Sequence, residues 1–391
     1  MKFPGQGQHP MNLPELSAEE AAQQQAMMAL LEEEIRKARG ALPFDRYMEL
    51  ALYAPGLGYY VSGAHKFGEG GDFVTAPEIS PLFGRCLAHP CLEVFESTGT
   101  WQILEFGAGT GVMAAQILAE LQRLHPDRPV SYRILELSPE LQQRQRQTLQ
   151  SRVPELMKHV SWVREVPRDF SGMVLANEVL DAMPVHLFRR GDQKVEEQVV
   201  GVQEGQLSLQ WRSAGVELTE AVAAIEKETG KLQPGYVSEV NLRLAPWLQM
   251  LSERLPQAVV LLIDYGYTRK EYYHPQRSMG TLICHYRHQV HDDVLLRPGL
   301  QDITASVDFT AVAEAAEDAG LKLLGFSSQA NVLLGCGLEN LLSELDPEDV
   351  EQHMTVMQGV KQLILPTAMG ERFKAIALSK GVASRLSGFS A

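Results

Sequence analysis

From Trp101 to Ala182, short apolar runs alternate with longer stretches of helical periodicity. This rhythm restricts the fold more than any other feature of the chain. "WQILEF" predicts a strand, and "GVMAAQILAELQRL" a helix with Ala114, Ile117, Leu118, Leu121 and Leu124 on one face. "SYRILEL" predicts a second strand, and Ser138 and Pro139 suit the N-cap and first turn of the helix "PELQQRQRQTLQSRV". "HVSWV" and "GMVLAN" predict two further strands. Strands alternating with helices form βαβ units, hence a parallel sheet covered by helices on both faces.

The first strand-to-helix joint is "EFGAGTG": Glu105, then Gly107, Gly109 and Gly111. Glycine lets a backbone approach a ligand closely and take up conformations closed to other residues. The following helix offers unpaired N–H groups at its start. In parallel α/β sheets, ligands bind beyond the carboxyl ends of the strands, at the switch point. The joint departs from the dinucleotide fingerprint G-x-G-x-x-G, because Val112 stands at the third glycine's place. It also lacks the Gly-Lys-Ser/Thr of a P-loop. Glu136 ends the next strand, where an acid in nucleotide-binding sheets accepts hydrogen bonds from ribose hydroxyls. The simpler readings are a tight turn without a ligand and an exposed carboxylate.

Composition narrows the function classes. The 391 residues are 45% hydrophobic and 21% charged, with a formal net charge of -14, which is the profile of a globular protein. Such acidity disfavours a non-specific nucleic-acid binder, which needs clustered Lys and Arg. The cysteines Cys86, Cys91, Cys284 and Cys336 show no CxxC spacing, so a reducing compartment and buried or idle thiols are expected. The N-terminal stretch has neither an apolar signal core nor an Arg-rich transit composition, and the longest apolar runs are too short to span a bilayer.

Along the chain, residues 1–17 read as a disordered tail, and 18–95 as an N-terminal helical, substrate-side region beginning with a helix from Ala18 to Arg39. Residues 96–189 and 256–391 form the expected core, and 190–255 an inserted substrate-side segment. In that segment "KVEEQVVGVQEGQLSLQW" predicts a hairpin turning at Glu204-Gly205, followed by a helix around "LRLAPWLQMLSERL". "QAVVLLIDYGY" predicts a strongly apolar strand ending in Asp264. A loop-rich stretch to Val307, the helix "DFTAVAEAAEDAG" and the strands "LKLLGFSS" and "FKAIALSK" complete the reading.

The turn E-x-G-x-G-x-G resembles motif I of the seven-stranded S-adenosyl-L-methionine-dependent methyltransferases. The blocks "GGDFVTAPEISPLFG", "ANEVLDAMPVHLF", "IDYGY" and "RPGLQDITASVDF" follow in the order found in the MidA-like methyltransferases. That resemblance runs from about Leu42 to Ser379. It implies an α/β fold with a Rossmann-like, seven-stranded class I sheet carrying one antiparallel strand near its end. It also implies S-adenosyl-L-methionine as cofactor. Mitochondrial members assist respiratory complex I assembly by dimethylating an arginine of a core subunit. The expectation for this chain is a bacterial, cytoplasmic member with a protein substrate, no nucleic-acid partner, no membrane span and an undetermined oligomeric state.

The leading reaction is protein arginine N-methylation. Alternatives are another protein side chain, a small molecule, or an assembly factor that binds S-adenosyl-L-methionine without turnover. A guanidinium is a planar fork of five donors, so carboxylates are its natural clamp. The catalytic candidates are Glu178, Asp181 and Asp264, with Asp72 in the N-terminal Gly-rich loop. Cofactor candidates are Glu105, Gly107, Gly109, Gly111, Glu136, Asn177 and Thr75. From the sequence, Glu178 is equally a cap of the next helix, Asp181 a solvated acid, and Asn177 a turn fastener. Familiar arginine methyltransferases carry two glutamates in a loop after this strand, whereas here the second acid is an aspartate. Asn177 lacks the Pro-Pro-Tyr that holds a base amino group, which argues against nucleic acid as substrate. His285, His288 and His291 do not have the tight pair spacing of a structural zinc site, and no metal is expected there.

Overall fold

The computed structural model describes residues 14–62, 74–287, 289–346, 348–382 and 385–389. The chain forms two compact units. One comprises Met1–Ala64, Ala182–Arg243 and Thr268–Ala305; the other comprises His65–Asp181, Leu244–Tyr267 and Ser306–Ala391. Among the described residues, no helix is long and apolar enough to cross a membrane.

The second unit holds the predicted sheet. Its main strands in chain order are β1 (Gln102–Phe106), β2 (Ser131–Leu135), β3 (Val160–Val163), β4 (Ser171–Asn177), β5 (Gln257–Tyr267), β6 (Lys322–Ser328) and β7 (Phe373–Lys380), and the two-residue strand Val307–Asp308 pairs in parallel with the end of β5. In space the order is β6-β7-β5-β4-β1-β2-β3. All neighbours from β5 to β3 pair in parallel, and β7 runs antiparallel to both β5 and β6. The chain therefore leaves β1 toward β2 and β3 on one side, then returns to lay β4 and β5 on the other. The boundary between β1 and β4 is the switch point, where a crevice opens at the carboxyl ends.

Alternation explains the coverage of both faces. Ile103, Met173, Leu175, Val259 and Leu261 join the core formed with helices α1 (Leu82–Thr98) and α2 (Val112–Leu124). The intervening Leu104, Val174, Val260 and Leu262 point the other way and are equally buried. On that side, Phe106 meets Trp247 of helix α4 (Leu244–Arg254) at a ring separation of 5.5 Å. Helix α3 (Pro139–Arg152) lies between β2 and β3 in sequence, capped by the Ser138 hydroxyl, which accepts from Leu141 N–H. Helix α5 (Phe309–Asp318) is capped by Asp308.

Helix α1 starts within Lys66–Gly84, a stretch dense in Gly and Pro that reads as a loop, and continues to the end of the region expected to be helical. Its Gly84 and internal Pro90 read as breakers. Gly84 serves packing instead: a Cβ there would meet Gln116 of α2 at 2.5 Å, so only glycine lets the two helices approach.

The first unit contains a five-stranded antiparallel sheet. Val195–Gln203 pairs along one edge with Gln206–Ser213, and along the other with His186–Arg190 and Leu42–Pro43. Val237–Val240 pairs with His186–Arg190. The hairpin turns at Glu204-Gly205 as expected, and both residues take positive φ (52° and 77°), as a type I′ turn demands. The stretch expected to be loop-rich contains a small antiparallel sheet of Ile283–Tyr286, Gln289–His291 and Asp302–Thr304. The N-terminal helix spans Ala18–Lys37 and starts with a Ser17–Glu20 capping box. Residues 1–13 of the expected tail, and Asp72, lie outside the described residues.

All four thiols are buried and free, and burial pushes each one's pKa up. Among the described residues, no group of three or more His, Cys, Asp or Glu is arranged to hold a metal ion. Of the three histidines read together, His288 lies outside the described residues. Burial lowers the pKa of His285 and His291.

Candidate active site

The glycine turn leaves β1 at the switch point. Gly107, Gly109 and Gly111 all adopt left-handed φ, of 59°, 52° and 83°. The turn is held by Gly107 N–H donating to Leu135 O at 3.2 Å and Gly111 N–H donating to Ala108 O at 2.7 Å. Beneath it, Glu105 is buried and accepts from the Tyr132 hydroxyl at 2.8 Å. Burial raises its pKa to about 8 against an ordinary value of 4.5.

Glu136, one βα unit later, is also buried, and burial raises its pKa. Its Oε1 accepts from Ser138 N–H at 2.9 Å, and its Oε2 from Gln145 Nε2 at 3.0 Å. Gln145 was missed in the sequence. The available signal was its position on α3, where Gln145 and Leu149 form the buried face, a polar residue where an apolar one is usual.

The acids after β4 form a second cluster. Glu178 holds a left-handed φ of 54°, uncommon for a residue with a side chain, and its N–H donates to Ile263 O at 2.9 Å. No regular helix begins here, so the helix-cap reading of Glu178 finds no helix to cap. Its half-buried carboxylate accepts from Asn177 Nδ2 at 3.1 Å and from the Ala76 backbone. Desolvation first, then the charge of Asp181, raises its pKa to about 8. Asp264 is fully buried. Its Oδ2 accepts from Leu180 N–H (2.9 Å) and Asp181 N–H (3.1 Å), and its Oδ1 from Tyr265 N–H (2.9 Å). Burial and the neighbouring charges of Asp181 and Glu178 hold its pKa well above the carboxylate range.

Thr75 precedes the short helix Ala76–Ile79, and its side chain makes no cap hydrogen bond. Two residues unnoticed in the sequence tie that helix to the glycine turn and to α2: Thr110 of the turn donates its hydroxyl to Glu78 at 2.9 Å, and Gln116 Nε2 of α2 donates to Pro77 O at 2.7 Å.

S-adenosyl-L-methionine fits these residues. A Cβ built on Gly109 meets no atom of the described residues within 4 Å, so among them the turn borders open space. Among the described residues, the buried Asn177 Oδ1 and Glu78 Oε2 find no hydrogen-bond partner, leaving acceptors for a polar ligand. Glu136, which also accepts from the Leu137 backbone, keeps acceptor capacity for a ligand.

The raised acids predict a pH signature. Between about 4.5 and 8, the folded protein retains protons on Glu105 and Glu178 that the unfolded chain has released. Their contribution to stability is complete below about 4.5 and is lost as pH climbs toward 8. The melting temperature of ligand-free Glu178→Gln should therefore fall less steeply over this range than that of the wild type. Parallel curves would rule out a raised Glu178.

A family model for S-adenosyl-L-methionine-dependent methyltransferases matches residues 86–327. The chain is similar to the mitochondrial protein arginine methyltransferase NDUFAF7 of Danio rerio, 30% identical over 368 residues covering 86% of this chain and 83% of that one. The Homo sapiens protein of the same name is 30% identical over 378 residues, covering 88% and 81%. A crystal structure from Burkholderia thailandensis, bound to S-adenosyl-homocysteine, superposes with a TM-score of 0.92 at 42% identity, covering 97% of this chain and 98% of that one. With the glycine turn, Glu136 and the strand order of the sheet, these matches establish that the chain belongs to the MidA-like family of S-adenosyl-L-methionine-dependent methyltransferases.

Proposed function

We propose that this methyltransferase methylates a guanidino nitrogen of an arginine in a protein substrate. The observation that carries the reading is the cluster of Glu178, Asp181 and Asp264 at the carboxyl ends of β4 and β5, where, beside burial, the charge of Asp181 raises the pKa of Glu178 and those of Asp181 and Glu178 raise that of Asp264. A site that concentrates carboxylates against their own repulsion favours a cationic ligand. The arginine-methyltransferase names of the relatives agree with a guanidinium as that cation.

When bound, S-adenosyl-L-methionine supplies an electrophilic methyl group on a sulfonium. Glu136 accepts from the ribose hydroxyls, and the backbone of Gly107, Gly109 and Gly111 gives the remainder close access. Asp264 acts as a positioning residue: its three backbone hydrogen bonds fix Leu180, Asp181 and Tyr265 at the strand ends. Asn177 orients Glu178 through the hydrogen bond between their side chains. A guanidinium beside Glu178 offsets the burial and repulsion that hold its acid near 8, so the carboxylate ionises and accepts the N–H fork. As the nitrogen is methylated it must lose a proton, and Glu178 is the acceptor within this cluster. The negative charge of Asp181 raises the proton affinity of Glu178 and so favours that transfer.

The test is transfer of tritiated methyl from S-adenosyl-L-methionine, by the purified enzyme, into proteins from a strain lacking it, followed by acid hydrolysis. Label is expected in methylarginine. Label in methyl-lysine, another side chain or a small molecule would replace the arginine reading.

A further inference from the structure

We infer that Gln145 is a positioning residue of the cofactor site, fixing the Glu136 carboxylate to receive two ribose hydroxyls without itself touching the cofactor. The inference rests on reading Glu136 as the ribose acceptor.

Gln145 is fully buried on α3, and each polar atom of its amide is engaged. Nε2 donates to Gly109 O at 3.1 Å and to Glu136 Oε2 at 3.0 Å, while Oε1 accepts from Trp162 Nε1 at 2.8 Å. The partners dictate the orientation of the amide. An indole N–H only donates, whereas a carbonyl and a carboxylate only accept, so a flipped amide would mismatch all three. Trp162 is braced in turn by the Arg146 guanidinium, 3.8 Å above its ring. One side chain thus links the turn after β1, the acid after β2 and the indole on β3.

The consequence for Glu136 is geometric. Ser138 N–H occupies one lone pair of Oε1, and Gln145 one lone pair of Oε2. The carboxylate cannot rotate without breaking one of these bonds. The Leu137 backbone N–H also donates to this carboxylate, and the acceptor capacity that remains is turned to the ribose hydroxyls. Gln142 Nε2, from the same helix, donates to Glu136 O at 2.8 Å and steadies the backbone. Gln145 also backs the glycine turn, since a Cβ on Gly111 would lie 3.1 Å from its Cα.

The experiment measures Kd for S-adenosylhomocysteine and for its 2′-deoxy analogue by calorimetry, alongside melting temperature. Wild type should prefer the ribose form. Gln145→Met keeps length and apolar packing but cannot hold the carboxylate. Its Kd for S-adenosylhomocysteine should rise about tenfold, and its preference for the ribose form should shrink toward one. Added to Glu136→Gln, the same change should cost little more, because both act through one carboxylate. Trp162→Phe, which removes the indole donor together with part of the ring beneath Arg146, should move both quantities the same way by less. Undiminished ribose preference in folded Gln145→Met, or a loss equal for both ligands and additive with Glu136→Gln, would overturn the inference. Should Gln145→Met fail to fold, Trp162→Phe decides, and unchanged discrimination there overturns it. If Glu136→Gln alone leaves ligand binding intact, the reading of Glu136 is what fails, and the inference goes with it.

Discussion

Replacing Gly109 with alanine should leave a folded protein that no longer binds its cofactor. Among the described residues the added Cβ meets no atom within 4 Å, so the cost there is the strain of a left-handed φ of 52°. That strain is about 1–2 kcal/mol, against a typical stability of roughly 5–15 kcal/mol. The methyl instead fills space beside the turn, at the carboxyl end of β1, where ligands of such sheets bind. Affinity for S-adenosylhomocysteine should drop at least about 100-fold, equivalent to about 2.8 kcal/mol. Gly109 is the cleanest of the three positions to test. A Cβ on Gly107 would press on Val179 at 3.3 Å, and one on Gly111 on Gln145, so those variants mix packing damage with ligand loss. Calorimetric titration decides the matter, and an undiminished affinity in folded Gly109→Ala would show that the turn does not border the ligand.

Glu178→Gln should separate chemistry from binding. The amide preserves shape and the left-handed backbone but removes the charge to which the proposed mechanism gives the orientation and deprotonation of a guanidinium. Turnover should fall at least about tenfold, or roughly 1.4 kcal/mol of transition-state stabilisation. Cofactor affinity should change little, because Glu136 and the glycine turn are untouched. Stability of the ligand-free variant should hold or rise near pH 8, since a neutral amide avoids the repulsion from Asp181 that helps raise the acid. Normal turnover per folded molecule would remove Glu178 from the chemistry, leaving Asp181 as the remaining candidate at the strand end. Asp264 would be unsuited to replace it, because its buried oxygens already accept three backbone N–H groups.

The strands and helices around the glycine turn were legible because each carries a local signal. Apolar runs such as "QAVVLLIDYGY" have no alternating polar face, as a strand covered on both sides requires. Glu204-Gly205 specifies its hairpin through two residues suited to positive φ. Helix α1 and the small sheet from Ile283 to Thr304 were not legible. Their Gly, Pro and His content mimics loop, and only a facing surface such as Gln116 against Gly84 shows why those residues are tolerated.

The candidate site divides along the same line. Sequence by itself determined the glycine turn, the acid at the end of the second strand and the acids after the fourth, since each sits at a strand end that periodicity locates. Only the tertiary structure decided how those groups are tuned. Glu105 is raised by its burial under the turn, Asp264 became a backbone anchor, and Glu178 took a left-handed conformation beside Asp181. Gln145 acquired its three partners from the ends of three different strands. Desolvation, charge proximity and side-chain hydrogen bonding depend on distances between residues far apart in the chain, and no local pattern encodes those distances.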